Sequence, residues 1–300
     1  MHLEIEKFII KLHKEKDISE NTELSYRRDL KKLVDYLENK GINDFEQINE
    51  SDLVGYVECL HKLGRKSSTI TRSIVSIKSF FNYLFNEGLV EKNYALKLVA
   101  PKIEKHAPNV LTLNQVDALL SAPSGDTPKE LRDKAMLELL YATGMRVTEI
   151  ITLELKDVNL ELEYVVCHDR TKERMIPFGS DAKKALIMYL RNGRDYLLGD
   201  NESDCLFLNC SGKTMSRQGF WKIIKQYGNK AEIEMEITPH VLRHTFATHL
   251  INNGAALKSV QVMLGHSDVS TTHMYLNAEN RQIREAYDRA HPKSIGYIKE

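Results

Sequence analysis

Apolar residues recur at helical spacing through the first hundred residues of the chain. One such pattern covers residues 24–37 and stops before Asn39-Lys40-Gly41, and a second covers residues 70–84 and stops before Asn86-Glu87-Gly88. Apolar positions three and four residues apart lie on one face of a helix. A glycine directly after the last apolar residue is typical of a helix end. The pattern predicts two amphipathic helices in a region that is helical throughout.

Two prolines, Pro101 and Pro108, then interrupt the helical pattern. Proline cannot continue a helix, and the stretch between the two has little apolar periodicity. Thr112-Leu-Asn-Gln115 follows, and this spacing of Thr and Gln is that of a capping box, which opens a helix. We therefore predict a helical domain over residues 1–100, a linker over 101–110 and a second domain over 111–300.

The second domain contains one segment with the character of strands. Residues 164–167 and 175–177 are mostly β-branched or otherwise apolar, and they flank the polar stretch 168–174. Such a pair of runs around a charged turn predicts a β-hairpin. Helical patterns precede it at residues 131–141 and follow it at 182–190. The predicted fold class is mainly α with a small antiparallel sheet, a helical domain being followed by an α+β domain.

Composition narrows the class of protein further. The 300 residues are 42% hydrophobic and 28% charged, as in ordinary globular proteins of two domains. No apolar run is long enough to span a membrane, and the amino terminus lacks a signal-peptide core. The four cysteines show no CxxC spacing, so we expect reduced thiols and a cytoplasmic protein.

Charge is balanced overall but uneven along the chain. Residues 1–61 hold nine Lys/Arg against 14 Asp/Glu, whereas residues 62–105 hold nine against three. A basic face can bind phosphates whatever the net charge. The polar face of the second helix should present Thr69, Arg72, Ser73, Ser76 and Lys78, after Arg65-Lys66-Ser67-Ser68 at its start. This composition fits a DNA backbone, and it also fits a solvated surface.

Five residues further along the chain form a set suited to phosphodiester chemistry: Arg146, His240, Arg243, His266 and Tyr275. Guanidinium groups can bind the non-bridging oxygens of a phosphate in pairs. Histidines can transfer protons near neutral pH, and a phenol can carry the cleaved phosphate covalently. The set predicts a DNA strand-transfer enzyme that needs no metal and no cofactor.

Individual roles follow from the chemistry of the side chains. Glu149, three residues after Arg146 on a predicted helix, can orient its guanidinium. His240 can accept the proton of the tyrosine, and Lys172 on the hairpin turn can protonate the departing 5′ oxygen. Each residue also has an ordinary structural interpretation, as a core tyrosine or an ion-paired arginine. His240, His244 and His249 are residues of the type that binds zinc, but the HExxH pattern is absent because Val241 follows His240.

The chain resembles the tyrosine recombinases, and within them the bacterial Xer site-specific recombinases. The resemblance rests on residues 142–149 (ATGMRVTE), 238–248 (TPHVLRHTFAT) and 264–268 (LGHSD), with Thr271, Thr272 and Tyr275. It covers nearly the whole chain, and the amino-terminal helices look like the family's core-binding domain. It implies two domains that close around duplex DNA as a C-shaped clamp. It also implies a homo- or hetero-tetramer on inverted half-sites, linked by a final exchange helix at about residues 281–290.

The resemblance also implies the reaction. Tyr275 would attack the scissile phosphate, leaving a 3′-phosphotyrosine and a free 5′ hydroxyl, and strands would exchange through a Holliday junction. Family members resolve chromosome dimers or integrate and excise mobile elements, some with an accessory DNA translocase. This chain departs from the family in its hairpin, which is one residue shorter than Gly-Lys-Gly-Asn-Lys-Glu-Arg. Arg170 aligns with the family's acid, whereas Lys172 is the better proton donor and is our candidate.

Two other functions stay open at this point: relaxation of DNA as by a type IB topoisomerase, and non-catalytic DNA binding by a regulator. A binder needs no nucleophile, which favours the enzyme. The predicted DNA contacts are basic or hydroxylic residues from both domains: Arg65, Lys66, Thr69, Arg72, Lys78 and Arg217.

Overall fold

The structure, a computed structural model, describes residues 1–16, 18–102, 109–168, 173–265 and 278–294. The chain divides into two compact units, Met1–His106 and Ala107–Glu300. The predicted linker contains this division, and its residues 103–108 lie outside the described ranges. The domain bounds 1–100 and 111–300 and the C-shaped clamp stay predictions.

The first unit is helical, as predicted. Both predicted amphipathic helices are confirmed, as α2 and α4, and each begins three or four residues before its apolar pattern. The hydroxyl of Ser19 starts α2 by accepting a hydrogen bond from the backbone of Thr22. The α-helices of this unit are α1 (His2–Lys16), α2 (Glu20–Glu38), α3 (Glu50–Lys62) and α4 (Ser67–Asn86). Short 3-10 helices lie at Phe45–Gln47 and Tyr94–Lys97.

The polar face of α4 is narrower than the sequence suggested. Ser73 and Ser76 are 3% and 0% exposed, so the expectation that they face outward is wrong. The physical reason is that α4 packs against α1, α2 and α3, and nine of its 20 residues are buried. Ser76 donates instead to the buried carboxylate of Asp29 at 3.3 Å. A small hydroxyl on a helix is therefore compatible with burial when a partner is within reach.

The second unit surrounds the predicted hairpin with helices. Thr112 and Gln115 form the predicted capping box, with both reciprocal hydrogen bonds present. The helices are α5 (Leu113–Ser121), α6 (Pro128–Thr143), α7 (Val147–Thr152), α8 (Ser180–Asn192), α9 (Arg194–Leu198), α10 (Arg217–Lys230), α11 (Pro239–Asn252), α12 (Leu257–Leu264) and α13 (Ala278–Ala290). A 3-10 helix covers Leu155–Asp157.

The sheet has three antiparallel strands in the order β1 (Val158–Asn159), β2 (Tyr164–His168) and β3 (Glu173–Pro177). The predicted hairpin is confirmed, and its strands extend into the polar stretch because His168 pairs with Glu173. Residues 169–172, which include Arg170 and Lys172, lie outside the described part. The predicted fold class, mainly α with a small antiparallel sheet, is confirmed.

Helix α6 forms the centre of the second unit and contacts α5, α8, α9, α11 and β3. It ends at Gly144, whose φ of +60° is a conformation that side chains other than glycine rarely adopt. A Cβ at this position would lie 2.3 Å from the Phe246 ring of α11. Glycine therefore allows both the turn and the close approach of α11 directly before Arg146.

The carboxyl-terminal helix, α13, lies where the resemblance implied one, although it begins at Ala278 and not at about residue 281, and it contacts α11, α12 and β3. Its residues Ile283, Tyr287 and Ala290 are buried in their own unit, and the Tyr287 ring stacks on His291 at 4.5 Å. Docking of this helix onto a neighbouring subunit stays a prediction. Among the described helices, none combines the length and hydropathy that crossing a bilayer requires.

Candidate active site

Arg146 is the N-cap residue of helix α7, at the point where the chain leaves Gly144. Its backbone N–H donates to Glu149 Oε2 at 2.7 Å, and its Nη1 donates to Glu149 Oε1 at 2.9 Å. The Glu149 side chain is 8% exposed, whereas that of Arg146 is 40% exposed. The carboxylate thus holds the guanidinium from the protein side, as the spacing of the two residues predicted.

Arg243 reaches the same region from helix α11. Its Nη1 donates to the carbonyl of Gly144 at 2.6 Å, and its Nη2 donates to the carbonyl of Leu264 at 2.5 Å. These acceptors lie at the ends of α6 and α12, so the guanidinium joins three helices. Both main-chain contacts fix the plane of the guanidinium.

A third arginine, Arg174 of strand β3, was not predicted as part of the site. Its Nε donates to the carbonyl of Met263 at 2.9 Å, and its Nη2 donates to Glu149 Oε2 at 2.7 Å. Its side chain is 10% exposed. The alternation of the strand contained a signal, because residue 174 lies on the same face as the buried Ile176. An arginine at an inward position of a strand indicates a buried partner.

The three arginines meet at the carboxyl end of α12. The carbonyls of Met263, Leu264 and Gly265 accept from Arg174, Arg243 and Arg146 respectively, the last contact being 3.1 Å. The last carbonyls of a helix have no partner within it and carry partial negative charge, so cations stabilise this end. We call this group the arginine cluster: Arg146, Arg174 and Arg243 with Glu149. In the sequence, Gly265 directly precedes His266 and lies ten residues before Tyr275.

The arginine cluster carries more positive than negative charge, since three guanidiniums face one carboxylate. Burial lowers the pKa of Arg243 to about 10, and the charge of Arg146 adds to the effect, so this arginine is still a cation at neutral pH. Burial opposes ionisation of Glu149, but hydrogen bonds from Arg174 and Arg146 outweigh it and lower the carboxyl pKa. A partly buried site with excess positive charge is suited to an anion such as phosphate.

Cys167 lies next to the arginine cluster but is not a second nucleophile. It is 1% exposed, and burial raises the pKa of its thiol to about 12. The thiol is therefore neutral at physiological pH, and a thiol is a much weaker nucleophile than a thiolate.

His168, the last residue of β2, holds the end of the sheet at which β3 begins. Its Nε2 lies 2.9 Å from Asp157 Oδ1 and its Nδ1 lies 3.0 Å from Glu173 Oε1, and the hydrogen bond with Asp157 is the main cause of its raised pKa. A cavity of about 310 Å³ lies beside it, lined by residues that include Glu149, Asp157 and Cys167. These contacts fix His168 and Glu173, the residues where β2 ends and β3 begins.

The remaining candidates are described in part. His240 is exposed in the first turn of α11, one turn before Arg243, whereas Lys172, His266 and Tyr275 lie outside the described residues. His249 cannot serve as a metal ligand, because its Nε2 donates to the carbonyl of Leu111 and its Nδ1 accepts from the hydroxyl of Tyr141, both at 2.9 Å. Both ring nitrogens of His249 are thus engaged, so His249 is not available as a ligand of a zinc site with His240 and His244.

The predicted DNA contacts fall into three groups. Arg65 and Lys66 are exposed before α4, and Arg217 is exposed at the start of α10. Thr69 and Lys78 are half-buried on α4. Arg72 has a structural partner, since its Nε and Nη2 donate to the two carboxylate oxygens of Asp29, at 2.9 and 2.8 Å.

Comparison with known proteins agrees with this geometry. The chain matches the phage integrase family over residues 109–282 and the N-terminal SAM-like domain of phage integrases over residues 5–88. It is 45% identical over 295 residues to tyrosine recombinase XerD of Staphylococcus epidermidis, covering 98% of this chain and 100% of that protein. The XerD of Halalkalibacterium halodurans is 43% identical over 282 residues, 93% of this chain and 94% of the relative.

Among solved structures, the Tn1549 transposon integrase in complex with circular intermediate DNA has a similar fold. The TM-score is 0.71 at 22% identity, over 89% of this chain and 92% of the integrase chain. The chain belongs to the phage integrase family and is a tyrosine recombinase, an enzyme of site-specific DNA recombination. The relatives are of the Xer type, in agreement with the motifs around Arg146, Arg243 and Tyr275.

Proposed function

We propose that Arg146 and Arg243 of the arginine cluster bind the scissile phosphate of a DNA strand and that Tyr275 attacks this phosphate to form a 3′-phosphotyrosyl intermediate. The observation that carries the proposal is the meeting of Arg146, Arg174 and Arg243 at the end of α12. The segment that continues from this helix end holds His266 and Tyr275. Chain connectivity thus favours a phosphate site and a nucleophile that belong together.

Arg146 and Arg243 bind the non-bridging oxygens in this proposal. Negative charge builds up on those oxygens as the pentacoordinate transition state forms, so fixed cations stabilise it more than they stabilise the ground state. Both guanidiniums are held by protein acceptors before DNA binds, at Glu149 and at the carbonyls of Gly144 and Leu264. Little reorganisation is then needed during the reaction.

The cleavage step is balanced without a cofactor. The phenol oxygen of Tyr275 bonds to phosphorus, the bond from phosphorus to the 5′ oxygen breaks, and His240 accepts the phenol proton. Lys172 supplies the proton that the 5′ oxygen takes up, with Arg170 as the alternative donor. His266 contributes a further proton donor at the phosphate. The phosphotyrosyl ester conserves the energy of the broken bond, so neither ATP nor a metal is required.

Rejoining is the reverse reaction with the 5′ hydroxyl of a partner duplex. We propose that four subunits on paired inverted half-sites exchange strands through a Holliday junction, with their core-binding and catalytic domains closed around the DNA. Because the apolar face of α13 is occupied in its own unit, contacts between subunits would use its exposed face or an exchange of the helix. The Xer-type relatives support chromosome-dimer resolution in the cytoplasm as the biological role.

The experiment is to trap the covalent intermediate. A suicide substrate, nicked so that the 5′ product diffuses away, is selected from fragmented genomic DNA, and the denatured adduct is digested and sequenced. The expected result is a nucleotide-modified peptide at Tyr275 and one recovered DNA site, with neither found for Tyr275→Phe. An adduct that persists in Tyr275→Phe would contradict the proposal, as would DNA binding without any adduct. Relaxation of plasmids that lack the recovered site would favour the topoisomerase instead.

A further inference from the structure

We infer that Arg174 is a positioning residue for strand cleavage, which holds Arg146 and the carboxyl end of α12 in one fixed arrangement without binding the phosphate itself. The inference rests on the proposed function of the arginine cluster. It adds a residue that neither the chemistry of the sequence nor the proposed mechanism assigned.

The contacts of Arg174 separate it from the other two arginines. Its side chain is 10% exposed, against 40% for Arg146, so little of it can reach a ligand. Its Nε is committed to the carbonyl of Met263 and its Nη2 to the carboxylate of Glu149. These two donors therefore point at protein groups on two elements, α12 and α7.

These two acceptors belong to parts of the site that are far apart in sequence. Glu149 holds the Arg146 guanidinium and the start of α7, and Met263 lies three residues before His266. Arg174 is the described side chain that bonds directly to both. A displacement of about 1 Å at a reacting group can cost about a hundredfold in rate. The side chain that links these two parts therefore affects the rate of cleavage.

The packing around Arg174 supports this role. A Cβ on Gly265 would lie 2.9 Å from its Nη1, so the backbone of the α12 end passes directly over the guanidinium. Lysine carries its three N–H donors on one nitrogen and lacks the planar fork with which Arg174 reaches Met263 and Glu149 from two separate atoms. Arg174→Lys thus keeps the charge and weakens the link between the two acceptors.

The test uses two forms of the suicide substrate that carries the recovered site, one with a normal scissile phosphate and one with a methylphosphonate there. Methylphosphonate lacks the negative charge on one non-bridging oxygen, so correctly held arginines matter less for its cleavage. On the phosphodiester we expect Arg174→Gln to form adduct about a hundredfold more slowly than the wild type and Arg174→Lys to lie between them. On the methylphosphonate the loss should shrink to tenfold or less, with DNA affinity within about twofold of the wild type throughout.

Arg194→Gln is the matched control. Arg194 is also buried, at 6% exposed, and it also holds main-chain carbonyls, those of Ser203 and Cys205. It should cleave both substrates as the wild type does, and the fluorescence of Trp221, the single tryptophan of the chain, checks that each variant is folded.

Three results would overturn the inference. One is a wild-type rate for Arg174→Gln, another is an equal loss on both substrates, and the third is a loss of DNA affinity as large as the loss of rate. These results leave the proposed function intact as long as the wild type forms the adduct at Tyr275. A wild-type protein without that adduct overturns both.

Discussion

Replacing Gly144 with alanine perturbs the turn between α6 and α7, on which the arginine cluster depends. Gly144 has a φ of +60°, and its carbonyl accepts a hydrogen bond from Arg243 at 2.6 Å. A Cβ added here would lie 2.3 Å from Cδ1 of Phe246, which is 0% exposed.

The expected cost has two parts. Left-handed backbone at a residue other than glycine costs about 1–2 kcal/mol. Overpacking a close-packed core costs about 1–3 kcal/mol more. Gly144→Ala should therefore lower the free energy of unfolding by about 2–5 kcal/mol. Gly254→Ala is the control, because Gly254 has a φ of +85° with no atom within 4 Å of an added Cβ. It should lose the backbone part alone, about 1–2 kcal/mol.

Urea titration followed by Trp221 fluorescence measures this loss, because the tryptophan lies on α10 in the second unit. The clash is isolated by adding Phe246→Leu, which removes the obstructing ring. The double variant should be more stable than the sum of the two single effects predicts, by about 1–2 kcal/mol. Additive effects, or equal losses for Gly144→Ala and Gly254→Ala, would refute the steric reasoning.

Three further predictions concern charged groups. His168→Gln should lower the free energy of unfolding at pH 6 and change it little at pH 9 in urea titrations. A histidine with a raised pKa stabilises the fold below its ordinary pKa of about 6.5 and loses that contribution as pH rises through the raised value. An equal loss at both pH values would count against a stabilising role for the His168 contacts with Asp157 and Glu173. Arg72→Ala should destabilise the first unit by about 1–3 kcal/mol, because it leaves the buried carboxylate of Asp29 without its arginine partner, while Arg72 itself is 43% exposed. Thermal melts followed by circular dichroism measure the loss. An unchanged melting temperature would contradict this. Arg65→Ala should leave the melting temperature unchanged. It should reduce the slope of the logarithm of the DNA-binding constant against the logarithm of salt concentration by about one. An unchanged slope would show that Arg65 does not contact the DNA.

The parts of the fold that depend on local pattern could be predicted from the sequence. The helices α2 and α4, the capping box at Thr112 and the β-hairpin each follow from apolar spacing, turn residues or side-chain caps within a few positions. The orientation of Arg146 by Glu149 was predictable for the same reason, because the two lie one helical turn apart. The burial of Ser73 and Ser76 was not, since it depends on which helices pack around α4.

Most contacts of the arginine cluster could not be predicted from the sequence. Its acceptors are main-chain carbonyls at the end of α12, and a carbonyl has no signature in the sequence. Arg174 reaches them from a strand 89 residues away from Met263 in the chain, so its role depends on tertiary structure alone. Only the inward position of residue 174 on its strand could have pointed to it.

A crystal structure of the enzyme with nicked half-site DNA and vanadate, which mimics pentacoordinate phosphorus, would show the phosphate site directly. We expect vanadium bonded to the phenol oxygen of Tyr275, with Arg146 and Arg243 donating to its equatorial oxygens and Arg174 still bonded to Glu149 and Met263. Vanadate bound elsewhere, or with either Arg146 or Arg243 directed away from it, would contradict the claim that these two arginines hold the scissile phosphate.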